Sequence, residues 1–365
     1  MTAKNFAFFI SPHGFGHAAR ACAVMTILAR AIPDTHFSIY TKVPPWFFKQ
    51  SFGGAVSFSY HELLSDVGFV QATSIQEDYD ATIRALSELY PLRDSLIASL
   101  GAELRAKDTR AVLCDISVLG LAAARHADIP SVLFENFTWD WIYNGYLDVE
   151  PRFATFIEYL RPLYDLATVR VQAEPVGVPR ENAITVPPLA RPIRSAPESV
   201  RDALKIPRSA PMILCTMGGV PGEFSFVDAL GAHPEVFFAL AGINVSEKLP
   251  RNVRAISHTS SLYHPDLVAA ANAVVGKVGY STVAEAYYGR TQFFFLPRPR
   301  FPESKVMENF VSQELCGVRI PPDDFQSGRW VATLLHNLKA PSPLTIDAGL
   351  RDTRVAGAVQ RLIAT

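Results

Sequence analysis

Two histidines and an arginine fall within one glycine-rich stretch, SPHGFGHAAR at residues 11–20. A turn that only cradles a phosphate has no use for an imidazole. A histidine opening a helix is disfavoured as a cation by the positive end of the helix dipole, so His17 is expected to be neutral. A neutral imidazole in a cleft can accept a proton as a general base. It is better oriented when a carboxylate holds its other ring nitrogen. Asp115, directly after the apolar run AVLC, is the candidate for that role. Bland alternatives stand beside both readings: His17 satisfying backbone groups of the turn, and Asp115 or Ser117 capping the helix that follows. Gly14, Phe15 and Gly16 form a tight turn that brings main chain close to a substrate, with His13 and Arg20 on the same acceptor side. GFGHAA formally matches a dinucleotide fingerprint, but the next strand ends Tyr40-Thr41-Lys42 without the acidic residue a ribose needs. An NADP reading through Lys42 is the weaker one.

The second half carries two further turns of this kind, without histidine. Thr216-Met217-Gly218-Gly219 follows the apolar run MILC, and GKVGYSTVAE (276–285) follows AVV and starts a helix. Small residues at Gly279, Ser281 and Thr282 expose amides and hydroxyls at a helix N-terminus, where phosphates bind. Lys277 and Tyr280 flank that turn. Glu285 lies one turn inside and could take a ribose diol, or form a capping box with Ser281 or Thr282. Two anion-binding turns on one sheet edge suit a diphosphate. Trp139, Asp140 and Trp141, with Tyr143 and Tyr146, make an aromatic and acidic cluster that could stack on sugar faces, or could equally be a core-facing stripe. No Walker-type phosphate loop occurs, the histidines lack metal-ligand spacing, and Asp78-Tyr79-Asp80 heads a predicted helix, so no metal is expected.

These residues need elements to position them. Apolar runs at 6–10, 37–40, 111–114, 131–136 and 169–171 alternate with helical patterns near 17–31 and 79–106. That alternation predicts a parallel doubly wound sheet. PPLARPIRSAP at 187–197 reads as a stiff linker, after which the alternation begins again. The expected architecture is α/β, with an acceptor-side domain at 1–190 and a donor domain at 191–344. A terminal helix at 345–365 packs back across the hinge. Two such sheets facing each other leave a cleft at their strand ends.

The bulk composition fits. Of 365 residues, 49% are hydrophobic and 19% charged, and the net charge is −1, which disfavours disorder and a nucleic-acid partner. Four separated cysteines without a CxxC read as free buried thiols in a reducing compartment. No run approaches the roughly 20 apolar residues of a membrane span, and no signal peptide is evident, so a cytoplasmic protein is expected.

Taken together, SPHGFGHAAR, FENFTWDWIYNGYL (134–147), VVGKVGYSTVAEA (274–286) and PRPRFPESKVMEN (297–309) resemble the GT-B glycosyltransferases. In particular they are similar to the glycosyltransferase-like N-terminal half of plant L-arabinokinase and its free-standing bacterial relatives. The resemblance implies two Rossmann-like domains across a cleft. Donor binding falls to Gly218, Gly219, Gly279, Ser281, Thr282 and Glu285, with His17 as base and Asp115 near its supporting acid. The family's acid–glutamine pair for the donor sugar is not clear, and Glu303, Glu308 and Asn309 are the candidates. The implied reaction is metal-independent, inverting transfer from a nucleoside-diphosphate sugar, UDP-linked by first choice, with no other cofactor. A nucleotide-sugar hydrolase and a silent sugar or nucleotide sensor are the alternatives.

Overall fold

The computed structural model describes residues 4–73, 76–218, 225–243, 249–257, 260–338 and 346–364. Among the described residues, nine strands belong to the first half: β1 Lys4–Ile10, β2 Thr35–Thr41, β3 Ser57–Glu62, β4 Gln71–Thr73, β5 Gln76–Glu77, β6 Thr109–Asp115, β7 Ser131–Glu135, β8 Val169–Ala173 and β9 Ile184–Val186. Seven of them form one parallel sheet in the order β3-β2-β1-β6-β7-β8-β9, while β4 and β5 pair as a small antiparallel hairpin. The second half supplies β10 Met212–Thr216, β11 Phe237–Ala241, β12 Val253–Ile256, β13 Ala273–Lys277, β14 Gln292–Leu296 and β15 Val318–Arg319. They form a second parallel sheet, β12-β11-β10-β13-β14-β15. Central strands of a parallel sheet are covered on both faces, so their sequences are continuously apolar. FAFFI in β1 and MILC in β10 are buried throughout for that reason.

Each sheet changes winding direction at its first strand. β1 lies between β2 and β6, and β10 between β11 and β13. Loops leaving the two strands at such a switch point diverge to opposite faces and leave a crevice between them. Register fixes what lines it. Ile10 pairs with Asp115 across β1 and β6, so the 11–16 loop and the Asp115 side chain share one sheet edge. Thr216 pairs with Gly276 across β10 and β13, which sets the Gly218 turn beside the Lys277–Gly279 turn. A side chain at Gly276 would place its Cβ 1.8 Å from the Thr216 carbonyl oxygen, so only glycine allows that approach.

The linker residues 187–196 carry no regular structure, and a helix starts at Pro197. Arg194 clamps the preceding domain by donating to the Gln50 and Ser51 carbonyls while its own amide donates to Asp266 at 2.7 Å. The last helix, Gly349–Ile363, reaches back to the first half. Arg354 donates to the Thr185 carbonyl at 2.8 Å and Gln360 to that of Ala31 at 3.3 Å. The boundary expected at 344/345 lies outside the described residues. The helical region expected at 79–106 is two helices, Tyr79–Leu89 and Asp94–Ala106, interrupted at Tyr90-Pro91, where proline cannot donate to the ladder. Asp78 caps the first of them, accepting from the Ala81 amide at 2.9 Å. Cys22, Cys114 and Cys215 are buried, but Cys316 is exposed, because it sits in the turn between the helix Pro302–Glu314 and β15. Among the described residues, no helix is long and apolar enough to cross a membrane.

Candidate active site

A cavity of about 380 Å³ lies between the two sheets, and it draws its lining from the switch-point loops of both. From the first half come His13, Gly14, Phe15, Gly16, His17 and Arg20; from the second, Gly218, Lys277, Gly279, Tyr280, Ser281, Thr282 and Glu303. The two sets meet closely: a Cβ built on Gly16 would stand 3.9 Å from the Ser281 hydroxyl. Gly219 lies outside the described residues.

The helix Gly16–Ala31 begins immediately after the glycine turn, which puts His17 in its first turn. The structure brings His17 and Asp115 together, Nδ1 to Oδ1 at 2.6 Å, both buried. An ionised carboxylate only accepts, so this contact calls for a proton on Nδ1, which in the neutral imidazole leaves the lone pair on Nε2; Arg20 Nη2 stands 3.2 Å from the same Nδ1. Asp115 is 0% exposed and would be costly to bury alone. Burial pushes its carboxyl up, but the Arg20 guanidinium and then His17 more than offset that and hold it below the usual carboxylate range. Arg20 donates from Nε and Nη2 to the two Asp115 oxygens at 2.7 and 2.8 Å, and from Nη1 to the Asn136 side-chain carbonyl. Its plane stacks 4.9 Å from the Tyr280 ring centre. Arg20 was expected on the acceptor side; although it reaches the cavity wall, its donors are committed to Asp115 and Asn136.

Asn136 carries the network across the cleft, donating through Nδ2 to Glu303 at 2.6 Å. Burial raises the Glu303 carboxyl, opposed by that hydrogen bond and by His17 and Arg20. His13 accepts from the Phe69 amide at 3.3 Å. Burial and its positive neighbours push it well below the usual imidazole range, so it is neutral. Phe15 stacks on Phe47 at 4.9 Å.

On the donor side, Gly218 adopts φ +75°, a left-handed turn that favours glycine, and its Cβ position would lie 3.0 Å from Lys277 Cε. Tyr280, Ser281 and Thr282 open the helix Tyr280–Gly289, with Gly279 as its cap. Lys277 makes no ion pair among the described residues. Burial, and then Arg298, push its pKa down to about 8 against the opposing pull of Glu303 and Glu77.

Four expectations need correction. Glu285 neither caps its helix nor lines the cavity. It is 2% exposed, with Oε1 taken by Arg191 at 2.8 and 2.9 Å and Oε2 by His264 at 2.7 Å. Those two partners line the cavity in its place. Asn309 is exposed, because six residues along a helix from Glu303 turn it to a different face. Trp139 is wholly buried, stacked on Tyr143 and donating to Asp66 at 2.5 Å, so it belongs to the core. Asp140 and Trp141 face a different cavity.

Sequence reasoning missed Asn136, Arg191, His264 and Arg298. Asn136 follows directly on the end of β7, and Arg298 lies two residues past the end of β14, so the rule that found Asp115 would have found them too. Arg191 sits in the linker, where it stacks on Phe47 and Tyr263 and donates to Ser51 as well as Glu285. Nothing local marks it.

No family model matches the chain. It is 27% identical over 340 residues to L-arabinokinase of Arabidopsis thaliana, a span that takes in 90% of this chain and 32% of that protein. Among solved structures it is similar to a UDP-glucosyltransferase from Polygonum tinctorium, with a TM-score of 0.62 and 15% identity, covering 99% of this chain and 93% of that one. It is also similar to the glycosyltransferase VinC, solved with DTDP, with a TM-score of 0.60 and 15% identity over 99% and 95% of the two chains. The fold is GT-B: two Rossmann-like parallel-sheet domains facing across a cleft, as in glycosyltransferases.

Proposed function

We propose that the protein transfers a sugar from a nucleoside-diphosphate sugar to a hydroxyl acceptor, inverting the anomeric centre and using no metal ion. One observation carries this reading. A histidine whose Nδ1 is held by a buried carboxylate lines the same cavity as two glycine turns of the facing sheet. His17 Nε2 takes the acceptor hydroxyl proton as the acceptor oxygen bonds to the anomeric carbon from the open face. The bond from that carbon to the phosphate oxygen breaks, and its electron pair leaves with the diphosphate. Charge developing there is met by the amides opening the Tyr280–Gly289 helix, by the Ser281 hydroxyl and by Lys277. One such preorganised donor is worth about 3–4 kcal/mol. Uridine diphosphate is the first choice of nucleotide, since the similar structures are named for UDP or hold DTDP, both pyrimidine diphosphates. The activity named for the kinase relative belongs to a chain of which this one spans 32%.

The test incubates purified protein with a panel of UDP- and dTDP-sugars, with and without cell extract, in a chelator, and follows nucleotide release. Extract-dependent release that survives chelation is expected. Release without any acceptor would replace transfer with hydrolysis, a requirement for added magnesium or manganese would end the metal-free reading, and binding without release would make the protein a sensor.

Lys277 supplies a pH signature. A bound diphosphate favours the protonated amine, so the free protein must take up a proton on binding wherever Lys277 starts neutral. UDP affinity should therefore be flat well below pH 8 and weaken above it, by up to about tenfold per pH unit. Calorimetry from pH 6.5 to 9.5 measures this, and Lys277→Met should bind more weakly at pH 7 and lose the slope. An unchanged slope in Lys277→Met would remove the amine from the diphosphate site.

A further inference from the structure

One aromatic side chain departs from the pattern of the rest. Trp46 is 41% exposed, whereas every other aromatic ring among the described residues is buried or half-buried. It stands on the wall of the cavity between the two sheets, and nothing in the transfer chemistry uses it. Its neighbours hold it without stacking on it. Phe15 and Phe47 meet the indole steeply, at 72° and 67°, and stack on each other at 4.9 Å.

What the indole faces follows from the helix that carries it, Pro45–Phe52. Gln50 lies four residues on and shares the face of Trp46. Its side-chain amide donates to the Ser260 carbonyl at 3.1 Å, and Ser260 lines the cavity from the second half. That contact brings the Trp46 face of the helix up to the loop that follows β12. Strand order then says which part of a nucleotide sugar comes to this end. The diphosphate turns stand at β10 and β13, in the middle of the second sheet. Toward β14 the lining is charged, with Arg298 and Glu303, which suits the hydroxyls of a sugar. Toward β11 and β12 it is small or apolar at the strand ends, with Ala241, Gly242 and Ile256, and His264 is a polar neighbour. A flat heterocycle fits that end, and bases stack on exposed aromatic faces.

We propose that the nucleobase of the donor is clamped between the two domains, with the ends of β11 and β12 on one side of its ring and Trp46 on the other. The clamp rests on the nucleotide-sugar reading above. It adds to that reading a base contact from the first domain, so that the acceptor-side half takes part in holding the nucleotide.

The experiment titrates the full chain with UDP and with inorganic pyrophosphate, following calorimetry and tryptophan fluorescence. UDP should quench the emission of wild-type protein, because Trp46 is the exposed indole among the four tryptophans. Pyrophosphate, which carries no base, should bind without that quench. Trp46→Leu should lose the quench and weaken UDP by about tenfold or more, the scale of one base–aromatic stack, with pyrophosphate affinity unchanged. Trp46→Phe keeps a ring and should retain most of the UDP affinity. Thermal melting verifies that each variant is folded, and the wild-type comparison of UDP with pyrophosphate needs no variant. Unchanged UDP affinity in folded Trp46→Leu would overturn the clamp alone and leave the nucleotide reading standing. An equal loss for UDP and pyrophosphate would overturn it too, since the substitution would then act on the cleft as a whole. If wild-type protein bound no UDP, the nucleotide reading would fail and the clamp with it.

Discussion

Purified His17→Ala protein should bind UDP as tightly as wild type and turn over at least about 10²–10⁴-fold more slowly, the range for a lost acid–base group. The two halves of this expectation have separate structural causes. In the proposed reaction the nucleotide is held by turns of the second sheet, at Gly218 and Gly279, whereas His17 stands on the first. The imidazole is set by its 2.6 Å contact with Asp115, so Asp115→Asn should slow turnover in the same direction. In the asparagine variant the amide can donate to Nδ1, which moves the proton to Nε2 and removes the lone pair the reaction needs. Residues that act as one unit lose most of their effect together, so the double variant should be little slower than the worse single one. Single-turnover rates, measured well below the melting transition, separate chemistry from product release. Normal turnover in folded His17→Ala would assign the histidine to the turn alone.

The pairing of His17 with Asp115 was legible because it is a consequence of topology. Apolar runs locate the strands, parallel pairing lines up their carboxyl ends, and chemistry-bearing residues at those ends become neighbours. The same reasoning placed Gly218 beside Lys277. It failed where a residue's partner comes from a segment without periodicity. Glu285 sits at the right point of its helix for a ribose diol, yet Arg191, 94 residues away in the linker, claims one oxygen. His264, on a neighbouring helix, claims the other. Neither contact leaves a trace in the local sequence. The strands β3 and β9 escaped for a different reason: they lie at sheet edges, one half-exposed and polar and the other three residues long, so neither shows the buried apolar run that marks β1. Trp139 illustrates the limit of composition. Aromatics beside an aspartate suit sugar stacking and core packing equally, and only the fold sends Trp139 inward to Asp66 while leaving Trp141 on a cavity wall.

Arg20 separates a structural from a substrate-binding role, and Arg20→Leu should lower stability by about 3–5 kcal/mol, the cost of leaving one partner of a buried ion pair uncompensated. Arg20 is 1% exposed and Asp115 0%, with two hydrogen bonds between them and a third from Arg20 to Asn136. The melting temperature should fall on the order of 10 °C. Stability that depends on a carboxyl held below its usual pKa is present above the unfolded value and fades as pH drops through the folded one. The gap between wild type and Arg20→Leu should therefore be widest near neutral pH. It should narrow toward pH 4, where protonating Asp115 relieves the variant, and narrow further below that, where protonation begins to cost the wild type. Combining Arg20→Leu with Asp115→Asn should recover part of the loss, since a neutral amide no longer leaves a charge buried without its cation. If Arg20 instead held an acceptor, Arg20→Leu would melt like wild type and show only a raised KM. Equal melting temperatures at pH 7 would decide for the acceptor and against the buried pair.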